Sequence, residues 1–114
     1  MTTVTFHSAG GRIDGFAVEG HSGYAEAGSD IVCAAVSAAV GLTECTINEV
    51  MGIGAPVKAV EKSARISLKL PSRLNEDSDN LCQALLTGLL VYLQAMGEEY
   101  PENLIVLLDD EDED

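Results

Sequence analysis

The leucine-rich stretch in the C-terminal half limits what this chain can fold into more than any other feature. Leu81, Leu85, Leu86, Leu89, Leu93 and Met96 recur at the three-to-four-residue spacing of one helix face. A strand would send these side chains to both faces, whereas a helix gathers them into one stripe. That stripe needs a second layer to lie on. The acids Glu76, Asp77 and Asp79 suit the first turn of such a helix, where they complement its dipole, and Gly97 is the expected stop.

The second layer is written in period-two segments. Val4 and Phe6 alternate with Thr5 and His7, and Gly10-Gly11 supplies the positive φ of a hairpin turn. The returning strand runs from Arg12 to about Glu19. Ser29-Asp30 then offers capping side chains, and an Ala-rich apolar helix follows from Ile31 to about Val50. Pro56, after Gly52 and Gly54, restarts the chain as a second hairpin. Its second arm, residues 64–70, alternates cleanly, so one face should be buried and the other wet. Leu104 to Leu108 reads as a fully buried last strand. The order is ββαββαβ and the class α+β: a mostly antiparallel sheet of about five strands packed with two helices.

At 114 residues one domain is expected, covering residues 1–108 and followed by an acidic tail. The tail, Asp109, Asp110, Glu111, Asp112, Glu113 and Asp114, should repel itself and stay solvated. A net charge of −13 argues against direct nucleic-acid binding, which needs Lys and Arg to neutralise phosphates, and suits a basic partner. The three cysteines are an odd number with no close pair, so neither a disulfide framework nor a zinc site is expected. No charged-then-apolar leader opens the chain, and the longest apolar stretch, around Leu81 to Leu93, is interrupted by Gln83 and too short for a bilayer. These features suggest a soluble cytoplasmic protein.

Chemistry is concentrated between Gly20 and Ser37. With Ser29 or Asp30 as N-cap, Cys33 would lie in the first turn of the helix, where free N–H groups and the dipole favour the thiolate. The same N–H groups would form an oxyanion hole. His21, across a glycine-containing loop, would serve as base, and Asp30 would cap the helix or hold that imidazole. Ser37 follows Cys33 by one turn on the same face. Against this stands a bland alternative, since cysteine is among the most buried residue types. Cys45 and Cys82 receive that reading, as core residues on apolar helix faces. His7, opposite Val4 and Phe6, reads as exposed and idle.

Gly20-His21, the loop, and the run Asp30-Ile31-Val32-Cys33-Ala34-Ala35-Val36-Ser37 together resemble the signature of the ribosomal-processing cysteine proteases, the Prp or YsxB-like family. The resemblance extends to element order and to Gly97-Glu98-Glu99-Tyr100 after the second helix. It implies Cys33 as nucleophile and His21 as catalytic histidine, with Asp30 and Ser37 in accompanying positions. It implies a substrate loop containing Ser22, Gly23, Gly28 and Ser29, no metal or organic cofactor, and a homodimer. The implied reaction removes the N-terminal extension of the bacterial large-subunit ribosomal protein L-twenty-seven, cutting after paired phenylalanines and before alanine. The competing expectation is a non-catalytic acidic module that binds a ribosomal or other basic protein.

Overall fold

The computed structural model describes residues 1–20 and 27–111; the side chains of 27–30 are not described. The elements are β1 (Thr2–Ala9), β2 (Arg12–Glu19), α1 (Ala27–Cys45), β3 (Val57–Val60), β4 (Arg65–Lys69), α2 (Glu76–Glu99) and β5 (Leu104–Glu111). A single π-helical turn, Thr46–Val50, extends α1. The strands form one sheet in the order β3-β4-β2-β1-β5, antiparallel throughout except for the parallel β1–β5 pair. This is the expected ββαββαβ arrangement.

Both helices cover the same face of the sheet. The core joins Val4, Phe6, Phe16, Val18 and Leu68 to Val32, Val36 and Val40 of α1 and to Cys82, Leu86, Leu89 and Leu93 of α2. Phe6 and Phe16 are register partners with ring centroids 5.9 Å apart, a geometry that stabilises beyond plain burial. The other sheet face, with Thr3, Thr5 and Ser67, carries no layer among the described residues.

The first hairpin turns at Gly10 and Gly11, with φ of 59° and 79°. A bulge between His7 and Ser8 then shifts the register, pairing His7 with Gly15 but Ser8 with Ile13. Gln83 of α2 holds this bulge. Its Oε1 accepts from the Ile13 N–H at 2.8 Å, and its Nε2 donates to the Ile13 carbonyl at 2.8 Å. At the start of α2 the Asn75 side chain accepts from the Ser78 N–H at 2.8 Å, a cap the acids of the first turn reinforce.

Several expectations are corrected. α1 begins at Ala27, so Ser29 and Asp30 lie inside the helix and do not cap it. α2 passes through Gly97 to Glu99; a Cβ at Gly97 would stand 3.4 Å from the Leu104 carbonyl oxygen, so this glycine lets β5 approach closely. Leu81 points outward and is 57 % exposed, because the inward row of α2 runs through Cys82, Leu86, Leu89 and Leu93. Cys45 is exposed rather than in the core.

β5 is an edge strand. Leu104 is buried under α2, but Ile105, Leu107 and Leu108 are exposed. Nor does the acidic run leave the fold at Asp109. Residues 109–111 continue β5 in register with His7, Ser8 and Ala9. His7 faces Asp109 across 3.2 Å and is not idle, and the Ser8 hydroxyl donates to Asp110 at 2.5 Å. Residues 112–114 lie outside the described residues. Finally, α1 with its π-turn and α2 are each long and apolar enough to cross a membrane by length and composition, which the sequence reading missed, although their inward rows pack on the sheet.

Replacing Gln83 by Leu would strand two buried backbone groups at the bulge. The expected cost is about 1–3 kcal/mol, measured by urea denaturation; an unchanged midpoint would show that the bulge holds itself.

Candidate active site

Cys33 lies on α1, half-buried, close to the start of β1. The hydroxyl of Thr2 donates toward its Sγ at 4.0 Å. Thr2 is itself almost fully buried and is fixed by its N–H, which donates to the Asn103 carbonyl at 2.9 Å. At that separation the hydroxyl is a weak donor to sulfur. Nothing in the local sequence marked Thr2: a threonine opening a strand is ordinary, and only the packing of α1 over β1 brings it to the thiol.

Gly20 closes the same end of the sheet. Its φ is +84°, and a Cβ there would meet the Met1 carbonyl oxygen at 2.5 Å. Only glycine allows β2 to leave the sheet in this way, against the residue that precedes Thr2. The chain therefore heads into the segment containing His21 from the end of the sheet where Cys33 lies. His21, Ser22 and Gly23 are outside the described residues, as are the side chains of Ser29 and Asp30; of Gly28 only the helical backbone is described.

The helix start changes the expected chemistry. With α1 beginning at Ala27, Cys33 is nearly two turns inside it. The dipole effect fades within the first turn, and the free N–H groups belong to residues before Cys33. The Cys33 N–H therefore lies within the helical ladder and not among the free N–H groups at its start. The contact on Sγ that the structure supplies is the Thr2 hydroxyl.

Ser37 is exposed, one turn along from Cys33. It borders an apolar groove of about 220 Å³ between α1 and the β3–β4 hairpin. Val36, Val40 and Gly41 form one wall, Val57, Ala59 and Ile66 the other, with Phe16, Val18 and Leu68 as floor and Glu44 at the far end. Ile66, expected to be buried, is only half-buried because α1 stands away from the hairpin here. The other thiols differ in character. Burial pushes the Cys82 thiol up, and Asp79 adds to this while Arg12 offsets part of it, so Cys82 is held in its protonated, unreactive form.

Cys33, a half-buried free thiol, stands one turn from Ser37, which borders the open apolar groove, an arrangement that a small cysteine peptidase can use. Over residues 1–105 the sequence matches the family described as Cysteine protease Prp, and the chain belongs to that family. It is 29 % identical over 91 residues to the ribosomal processing cysteine protease Prp of Bacillus subtilis (strain 168), covering 80 % of this chain and 81 % of that protein. Its fold is similar to SMU.848 from Streptococcus mutans, with a TM-score of 0.86 at 25 % identity over 97 % of this chain and 96 % of that one. It is also similar to the essential ribosomal processing protease Prp from S. aureus in complex with a covalently linked product peptide. There the TM-score is 0.73 at 26 % identity, over 96 % of this chain and all of the other. Family membership makes the chain a cysteine protease and removes the non-catalytic binding module as its main role.

Thr2→Val keeps the shape and removes the donor. In a Cys45→Ser background, which silences the exposed thiol, alkylation of Cys33 at neutral pH should slow several-fold while the melting temperature stays nearly constant. Equal rates would show that Thr2 acts only in packing.

Proposed function

We propose that the chain is a processing endopeptidase that removes the N-terminal extension of the large-subunit ribosomal protein L-twenty-seven, cutting after paired phenylalanines and before alanine. The observation that carries this reading is the apolar groove running along α1 from Ser37, one turn from Cys33. Its walls are aliphatic, so it can desolvate a phenylalanine side chain N-terminal to the cut. Burying one such ring is worth about 1.5–3 kcal/mol. The names borne by the relatives from B. subtilis and S. aureus support the substrate class.

In the proposed reaction His21 takes the thiol proton and the Cys33 sulfur attacks the scissile carbonyl carbon. The C–N bond breaks, His21 returns the proton to the leaving amine, and a thioester remains on Cys33. Water then adds to the thioester with His21 again as base, freeing the carboxylate and the thiol. No metal or organic cofactor takes part. Asp30 and Ser37 are assigned to orienting His21 and bordering the substrate, and residues 22, 23, 28 and 29 to the segment that covers it. The net charge of −13 favours encounter with a basic ribosomal protein, an attraction that weakens as salt rises. The free thiols fit a cytoplasmic location, and the acting unit is a homodimer.

A peptide spanning the extension and its Phe-Phe-Ala junction tests the reading by mass spectrometry. A single cut at that junction is expected, absent in Cys33→Ala and reduced about 100-fold or more in kcat by His21→Ala. An intact peptide with the wild-type protein would overturn the substrate. Undiminished turnover by His21→Ala would overturn the base. Filling the groove with Ala59→Trp should raise KM for the peptide at least tenfold while Cys33 alkylation is unchanged; an unaltered KM would remove the groove from the substrate path.

A further inference from the structure

One charge stands apart on α1. From Ile31 to Cys45 the helix contains a single Asp, Glu, Lys or Arg, and it is Glu44. A helix that covers a core normally turns its charges to the outer face, yet the exposed outer positions Ile31, Ala34, Ala38 and Leu42 hold none. Glu44 lies instead on the side that faces the β3–β4 hairpin, at the far end of the apolar groove. Cys33, Ser37, Val40 and Glu44 follow one another at intervals of four, three and four residues, so they share one line along α1. The thiol marks one end of that line and the carboxylate the other.

Glu44 is half-buried, and among the described residues its carboxylate has no partner. The ion pairs found there join His7 to Asp109, Arg12 to Asp79 and Arg65 to Glu19. The last turn of α1 contains no basic residue either. A peptide laid in the groove would strip water from this carboxylate, a cost that only a matching donor offsets. A wholly apolar segment is therefore penalised where it reaches Glu44, and a cation is favoured. Gly41, one turn before Glu44 on the same wall, is a second sign of an occupant. A Cβ there would meet nothing within 4 Å, so no contact inside the chain requires glycine, although glycine weakens a helix relative to alanine. Without a side chain at this position the groove stays open beside the carboxylate.

We infer that Glu44 is a specificity residue that binds a positive charge on the substrate, at the fifth or sixth residue on the N-terminal side of the cut. The inference rests on the groove being the path of the residues before the cut. Helix and strand geometry then set the register. Glu44 follows Cys33 by eleven residues, about 16.5 Å along a helix axis. An extended peptide advances about 3.3 Å per residue, so with the first residue at Cys33 the sixth reaches the carboxylate. The length of the two side chains brings the fifth within reach as well. Two cations can fill the place: a Lys or Arg side chain, or the α-ammonium of a substrate that begins there. Their chemistry is the same, and the net charge of −13 concentrates either one near the protein.

Fluorescence anisotropy on the full chain carrying Cys33→Ala tests this, because it reads binding without turnover. The probes are N-acetylated, C-terminally labelled peptides with a Phe-Phe-Ala junction in a neutral background. A single Lys, or its uncharged analogue norleucine, is stepped through the residues before the cut. At the fifth or sixth residue Lys should bind about five- to tenfold more tightly than norleucine, and elsewhere equally. Glu44→Gln should abolish that preference, and Glu44→Lys should invert it so that glutamate is preferred at the same residue. Unacetylated peptides that begin at the fifth or sixth residue examine the second cation. A Glu44-dependent gain over their acetylated forms, with no gain from Lys, assigns the site to the substrate's N-terminus. A preference for either cation that survives Glu44→Gln, or none for either, would overturn the inference, since a merely structural Glu44 shifts all peptides alike. Ala59→Trp separates the two readings. If it weakens every peptide while neither cation is preferred, only the role of Glu44 falls; if it changes no affinity, the groove and Glu44 fall together.

Discussion

The contact between Phe6 and Phe16 is the point on which the layers converge. The two rings belong to neighbouring central strands and are register partners, so the pair fixes both the alignment of the first hairpin and the face on which its apolar side chains emerge. Slipping one strand of the pair by one residue would send its apolar side chains, Val4 and Phe6 or Phe16 and Val18, to the uncovered face. Both helices then have only one place to lie. With two phenylalanines and no tryptophan in the chain, aliphatic side chains must fill the rest of the core around this pair. The bulge after His7, clamped by Gln83, lets the hairpin keep that register while Ile13 turns inward.

The site is a consequence of how α1 lies on this platform. Its N-terminal part crosses the start of β1, which brings Thr2 to Cys33, and its middle stands off from the β3–β4 hairpin, which leaves the apolar groove. The hairpin is anchored by the backbone pairing of β4 to β2 and by Leu68 in the core, with the part-exposed Arg65–Glu19 ion pair at 2.7 Å on its edge. Asn48 ties the π-turn after α1 to Ala55 through both ends of its amide, at 3.0 Å and 2.7 Å, setting where the hairpin starts. The polar anchors lie outside the groove, whose walls and floor are aliphatic and aromatic apart from Ser37 and Glu44.

Charge is distributed with the same division. The acids of β5 are absorbed by the sheet through His7 and Ser8, those of α2 gather at its two ends, and the outer helix face carries none. The acids lie at the edges of the fold, which leaves the outer helix face neutral. The helices are apolar on two faces for two reasons: the inward rows serve the core, and the outward rows are left over by everything the single chain does.

Local pattern sufficed where period and turn chemistry act over a few residues. The strand alternation of Val4 and Phe6, the Gly10-Gly11 turn, the leucine stripe of α2 and the order ββαββαβ could all be read directly. Three kinds of fact could not. The start of α1 was misplaced because Ser29 and Asp30 are good caps but equally tolerable inside a helix, and the choice rests on what the preceding segment does. β5 was read as buried because an apolar run looks alike at the centre or the edge of a sheet; only the parallel pairing with β1 put it at the edge. Thr2 beside Cys33, Gly20 against Met1, and the groove are contacts between parts of the chain far apart in sequence. Periodicity decides which face of an element is apolar, but tertiary packing alone decides what each face meets, and this protein's chemistry lies in those meetings.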